Sequence, residues 1–149
     1  MVWAPGMIRI GLDLGARRVG VSLHEEDDVP ARAHDTLDVP ADGSLVRALA
    51  AVVEATKAAE VIVGLPLNMD GSEGLAARNA RRVAKALGLR VKAAVVLWDE
   101  RLTTTQAQRA RRERGVKGRE GIDAEAATIL LQSYVDAQRG GSAWEPDVP

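Results

Sequence analysis

Residues 7 to 24, MIRIGLDLGARRVGVSLH, decide the fold. MIRIGLDLG is an apolar run with β-branched residues that stops at Gly15. RRVGVSLH alternates apolar and polar positions after a tight Gly15-Ala16 connection, so the two read as strands of a hairpin. ARAHDTLDV, residues 31–39, supplies a third strand bounded by Pro30 and Pro40. Three strands in antiparallel succession therefore open the chain.

Strands and helices then alternate. Leu45, Leu49, Val52 and Val53 recur at helical spacing within 44–59, and EVIVGLP (60–66) is a short apolar strand stopped by Pro66. NMDGSEG (68–74) is a loop; Ser72 or its neighbours can cap a helix that runs to Leu87, with Gly88 suited to its end. VKAAVVLW (91–98) is another buried strand. Thr103 and Gln106 fit a capping box opening a helix to about residue 113, and the basic, Gly-rich GVKGREG (115–121) reads as a flexible link. A last helix, 123–138, buries Ala127, Leu130, Leu131, Tyr134 and Val135 on one face. This order predicts an α/β fold with a mixed five-stranded sheet flanked by helices.

At 149 residues the chain suits one domain, 1–149, able to bury roughly 70% of its unfolded surface. Residues 1–6 and about 140–149 are expected to be loose tails, Met7 being a natural start for the regular pattern. Without cysteine there are neither disulfides nor thiolate metal sites, so any metal falls to oxygen ligands or the two histidines. His24 and His34 lack repeated ligand spacing. No apolar run reaches the ~20 residues of a membrane span, and MVWAPGM lacks the features of a secretory signal, which predicts a cytoplasmic protein.

The net charge of −1 hides an uneven distribution. Acidic residues crowd between His24 and Asp42, whereas Arg78, Arg81, Arg82 and Lys85 share one helix. Arg109, Arg111, Arg112, Arg114, Lys117 and Arg119 form a second basic cluster. Either cluster is explained by a solvated helix face, or by a track for a nucleic-acid backbone whose binding weakens steeply with salt.

At three places in the chain acids stand where they are expensive or conspicuous. Asp13 lies in the apolar GLDLG, where a buried charge needs a partner, although a strand-end aspartate can also serve a turn. Asp99 and Glu100 follow the buried VVLW in LWDERLTTTQAQ (97–108); alone, they read as solvated loop acids. Asp123, directly before AEAATILL, is explained at least as well by N-capping. If the three converge, their repulsion calls for a cation, and an oxygen-only set suits Mg²⁺ or Mn²⁺. Such ions keep waters and recruit phosphate oxygens, which is the arrangement for phosphodiester hydrolysis.

In chain order, IGLDLGARRVGVSL, IVGLPLNMDGSEG, WDERLTTTQAQ and GIDAEAATILLQSY resemble the four blocks of the YqgF family, also called RuvX, the pre-16S rRNA nucleases. GLPLNMDG followed by DERLTT is highly specific; DLG alone is weak. The similarity spans roughly residues 7–138. It implies an RNase H-like fold related to the RuvC resolvase and a metal-dependent role trimming the 5′ end of 16S rRNA precursor. Under the resemblance Asp13, Glu100 and Asp123 are the catalytic and metal-binding acids. Consecutive residues on an extended chain face opposite ways, so Glu100 is favoured as ligand and Asp99 as support. Thr104 stands where the family often has serine, and both can cap.

Asn68, Asp70 and Ser72 can contact substrate or simply make a turn. Arg101 can pair with Asp99 or reach a scissile phosphate, and Arg109 and Arg112 can follow the nucleic-acid backbone. RNA is the favoured partner, as pre-16S rRNA or ribosomal particles, with branched or single-stranded DNA as alternative substrates. A junction-resolving DNA nuclease would use the same acids. A non-catalytic RNA- or transcription-associated factor is the third reading, and retention of all three acids argues against it. An actin-like ATPase is opposed by the length, which holds one such domain where two are needed, and by the lack of GxxxxGK[ST]. Without a visible apolar stripe for an interface, a monomer is favoured over a dimer.

Overall fold

The computed structural model describes residues 4–102 and 118–140, with side chains in the last helix described from Asp123 onward. Five strands, β1 (Arg9–Leu14), β2 (Arg18–His24), β3 (Arg32–Asp38), β4 (Glu60–Leu65) and β5 (Ala94–Asp99), form one sheet in the order β3-β2-β1-β4-β5. β1 pairs antiparallel with β2, and β2 with β3, whereas β1-β4 and β4-β5 are parallel. The mixed sheet expected from the sequence is present.

Helices α1 (Leu45–Thr56) and α2 (Leu75–Gly88) cover one face, and α3 (Gly118–Arg139) covers the other. The strand alternation dictates this division. Ile10 and Leu12 of β1, Val19, Val21 and Leu23 of β2, Val61, Val63 and Leu65 of β4, and Val95 and Leu97 of β5 pack with Leu49, Val53, Val83 and Leu87. Ile62, Val96 and Trp98 point the other way, into a smaller core with Leu130, Leu131, Tyr134 and Val135 of α3. Trp98 and Tyr134 meet edge to face at 5.3 Å.

The hairpin gives α3 little apolar surface, because its face there consists of Arg9, Gly11, Asp13, Gly20, Ser22 and His24. Close approach replaces bulk. A Cβ at Gly11 would lie 2.9 Å from Leu131 Cβ, and Ser22 Oγ donates to the Ala127 carbonyl at 2.7 Å. At the opposite end from Asp13, buried Glu60 accepts from Arg9 Nε at 2.6 Å and from Tyr134 Oη at 2.9 Å. That network satisfies a carboxylate which would otherwise be costly to bury.

Several boundaries differ from the sequence reading. α1 stops at Thr56 rather than 59, because Lys57 takes a left-handed conformation (φ 58°) and closes the helix. α2 starts at Leu75 with Gly74 as N-cap, so Ser72 belongs to the preceding loop and caps nothing. β5 starts at Ala94, three residues later than expected. The largest difference is α3, which begins at Gly118. Residues 118–121, expected to be linker, are helical, and Asp123 is an interior position rather than an N-cap. The capping box at Thr103 and Gln106, Arg109, Arg112 and residues 141–149 lie outside the described residues. Ala4 and Gly6 are hydrogen-bonded, to Arg9 Nη2 and an Asp27 carboxylate oxygen. Among the described residues no helix is long and apolar enough to cross a membrane.

Candidate active site

Asp13 sits on the central strand, one residue before its end, and shares a face with Gly11 toward α3. Its cross-strand partner on β2 is Gly20. On β4 the parallel register pairs Leu12 with Val63, which brings Gly64 level with Asp13. The acid is thus flanked on both sides by glycine: Gly20 makes room for the α3 backbone at Asp123, and Gly64 for the side chain of Glu100. A Cβ at Gly20 would lie 1.9 Å from the carbonyl oxygen of Asp123, and one at Gly64 would lie 2.6 Å from Glu100 Oε1. Neither glycine was singled out in the sequence. The available signal was a glycine interrupting an apolar strand, which marks close approach.

Glu100 opens a 3₁₀ turn (Glu100–Leu102) directly after β5. The turn swings its side chain across Gly64 to hydrogen-bond Asp13. Burial, and then the charge and hydrogen bond of Asp13, push the Glu100 carboxyl up to about 8. Two acids pressed together with this penalty form a site that a cation would relieve. Asp123 stands over Gly20, beside the pair, with Arg18 Nε 3.9 Å from its Oδ2. The structure therefore joins Asp13 to Glu100 and holds Asp123 against Arg18. Among the described residues no group of three or more His, Cys, Asp and Glu is positioned to hold a metal ion.

Asp99 points to the other face, as expected from strand alternation. It accepts from the backbone N–H of Arg101 at 2.8 Å and from Arg101 Nη2 at 2.8 Å. Burial opposes its ionisation, but these bonds and the guanidinium charge outweigh it and hold Asp99 below its ordinary value. Arg101 Nη1 also donates to the carbonyls of Asn68 and Met69, at 3.4 and 3.3 Å. It clasps the 68–72 loop to the end of β5.

Within that loop the polar side chains serve one another. Asn68 Nδ2 donates to Ser72 Oγ at 2.9 Å, and Ser72 gives both its N–H and its hydroxyl to Asp70 Oδ1. These bonds, the hydroxyl first, keep Asp70 below its ordinary value. Gly71 supplies the left-handed position, φ 85°. His24 is buried at the far end of β2 from Asp13, and burial lowers its pKa.

Solved structures with this architecture include Thermus thermophilus RuvC bound to a Holliday junction substrate, with TM-score 0.65 and 14% identity. That match covers 94% of this chain and 99% of that one. The fowlpox virus Holliday junction resolvase matches with TM-score 0.57 and 13% identity, over 88% and 99% of the two chains. A relative from Anaeromyxobacter sp. (strain Fw109-5), named "Putative pre-16S rRNA nuclease", is 39% identical over 87% of this chain and 96% of its own length. One of the same name from Mycobacterium tuberculosis (strain ATCC 25618 / H37Rv) is 40% identical over 91% of this chain and 82% of its own. The family model described as RuvX, Holliday junction resolvase, matches residues 7–137, and with these relatives it establishes that the chain belongs to the RuvX family.

Proposed function

We propose that the chain is a divalent-metal-dependent nuclease that hydrolyses phosphodiester bonds in 5′-end maturation of the 16S rRNA precursor. The observation that carries this reading is the facing of Asp13 and Glu100 across Gly64 at one end of the sheet. The names of the relatives support RNA as substrate. Asp13 and Glu100 would hold Mg²⁺ or Mn²⁺, with Asp123 completing the set only by turning from Arg18 toward them; oxygen donors suit such hard cations, and the ion would answer the repulsion between the two joined acids. When bound, the ion would activate water and offset charge on the phosphate. The protein's own part is placement. Gly20 lets the α3 backbone at Asp123 approach Asp13 from one side and Gly64 admits the Glu100 side chain from the other, Arg18 lies 3.9 Å from the Asp123 carboxylate, and the Asp99-Arg101 pair anchors the turn from which Glu100 projects.

A junction-resolving DNA nuclease is the second reading, favoured by the description of the family. One assay separates the two. An RNA carrying the 16S precursor leader, a four-way DNA junction and single-stranded DNA are incubated with Mg²⁺ or Mn²⁺. The expected result is cleavage of the RNA, reduced about 100-fold or more in Asp13→Asn, Glu100→Gln and Asp123→Asn with folding intact. Cleavage of the junction alone would establish the second reading. Undiminished cleavage in all three variants would overturn the acid assignment, and tight RNA binding without any cleavage would indicate a binding factor.

A further inference from the structure

A cavity of about 300 Å³, lined in part by Asp99 and Arg101, lies at the same end of the sheet as the joined acids but on the opposite face from Glu100. Leu65, Leu67 and Leu97 give it an apolar lining, and Gly71 brings the 68–72 loop to its wall. Its volume is at the lower bound of small-molecule sites, ~300–1,000 Å³. Four charged side chains complete it, as two closed ion pairs: Glu73 with Arg81 at 2.7 Å, and Asp99 with Arg101 at 2.8 Å.

This lining discriminates among occupants. With each cation already neutralised by a carboxylate, the cavity has no excess positive charge to attract a phosphate. It offers an apolar surface together with both donors and acceptors, which suits a neutral, flat group with polar edges. Its place in the chain narrows the choice further. Asp99 and Arg101 line the cavity, whereas Glu100 between them turns to Asp13. The cavity and the joined acids thus flank the same turn, Glu100–Leu102, from opposite faces at one end of the sheet. Met69, whose carbonyl Arg101 holds, is 93% exposed and adds an apolar side chain in the same loop.

We propose that this cavity receives one unstacked nucleobase of the substrate strand, next to the phosphate at Asp13 and Glu100. The assignment rests on the nuclease reading above. Single-stranded RNA is commonly recognised through splayed bases stacked on aromatic side chains or arginine guanidinium planes, and Arg81 and Arg101 supply guanidinium groups here. Asp99 and Arg101 thereby acquire a second use, forming the wall of a base site as well as anchoring the turn.

The test uses full-length Asp13→Asn protein without added metal, so that the precursor-leader RNA binds without being cut. A series of RNAs, each with one abasic position, is titrated by fluorescence anisotropy. A parallel series carries 2-aminopurine, which brightens when it leaves the stack. The expected result is one position near the cleavage site where base removal weakens binding about tenfold and 2-aminopurine brightens. Adding Leu67→Trp, which fills the cavity, should erase that sensitivity. The 2-aminopurine series reads the unaltered cavity and stands even if the filled variant folds poorly. Equal binding of every abasic RNA with no brightening would overturn the cavity assignment and leave the nuclease reading intact. A sensitive position indifferent to a folded Leu67→Trp variant would place the base elsewhere and also overturn it. Failure to bind or cut any nucleic acid would overturn the nuclease reading, and the base site with it.

Discussion

Adding one methyl group at Gly20 or at Gly64 should separate stability from activity, because the two glycines accommodate different kinds of neighbour. At Gly20 the new Cβ meets backbone: the Asp123 carbonyl oxygen at 1.9 Å, its carbon at 2.4 Å and Ala124 N at 2.9 Å. To restore ordinary contact at 3.4 Å, this part of α3 must retreat by about 1.5 Å. Overpacking of this kind costs about 1–3 kcal/mol. For a chain of this length that corresponds to a fall in Tm of roughly 2–12 °C. At Gly64 the new Cβ meets Glu100 Oε1 at 2.6 Å, the far end of a side chain that can rotate away, and Leu130 Cδ2 at 3.2 Å. Reduced freedom of the unfolded chain offsets part of the strain, so the net cost of Gly64→Ala should stay below about 1 kcal/mol. Its activity should nevertheless fall about 100-fold, the typical consequence of misplacing a reacting group by an ångström. Urea unfolding and RNA cleavage, measured on both variants, give the comparison. Wild-type cleavage by Gly64→Ala would refute the placement of Glu100 over that glycine, and an unchanged Tm for Gly20→Ala would refute the contact with α3.

Two further outcomes follow from buried acids. Glu100 titrates at about 8 in the folded chain against an ordinary 4.5, so its protonated form contributes stability that is full below 4.5 and lost as pH rises to about 8. In metal-free protein, stability should decline across that window by up to about 1.4 kcal/mol per pH unit from this group. Glu100→Gln should remove that component, and identical pH profiles for the two proteins would refute it. Tyr134→Phe leaves Glu60 Oε2 without its 2.9 Å donor, which should lower stability by about 1–3 kcal/mol at neutral pH while cleavage is retained. An unchanged urea midpoint would refute that role.

The sheet was legible because the apolar, β-branched run of MIRIGLDLG, the alternation in RRVGVSLH, and the short apolar runs of β4 and β5 are local signals. Helix ends were less so. Ser72 looked like a cap, but its hydroxyl and N–H are taken by Asp70. The start of α3 was hidden for a related reason. GREG carries two glycines and reads as linker, and Asp123 before an apolar run reads as a cap. The helical assignment of 118–122 follows no periodicity visible in those residues. Asp13 and Glu100 were legible as acids where acids are costly. Their meeting was not, because it depends on Gly64, eighty-seven residues apart though the two acids are in the chain.

The placement of Glu100 also shows why the acid should follow β5 rather than end it. On a continuing strand, Glu100 would take the face opposite Asp99, but its side chain would stand perpendicular to the sheet, leaving β4 between it and Asp13. The 3₁₀ turn bends the chain at that residue, and the missing side chain at Gly64 lets the carboxylate cross the intervening strand. Arg101 stabilises the bend from the other side, through its backbone N–H and guanidinium bonds to Asp99. The Asp-Glu-Arg triplet therefore acts as one unit. Its outer residues fix the turn and wall the cavity, and its middle residue reaches the acid on β1. Arg101→Lys keeps a positive charge but loses the paired donors, so it should move Glu100 without removing any acid. A lowered cleavage rate is the expected signature, with loss of RNA affinity limited to the contribution of the base in the cavity that Arg101 walls; a rate equal to wild type would show that the turn holds without the clasp.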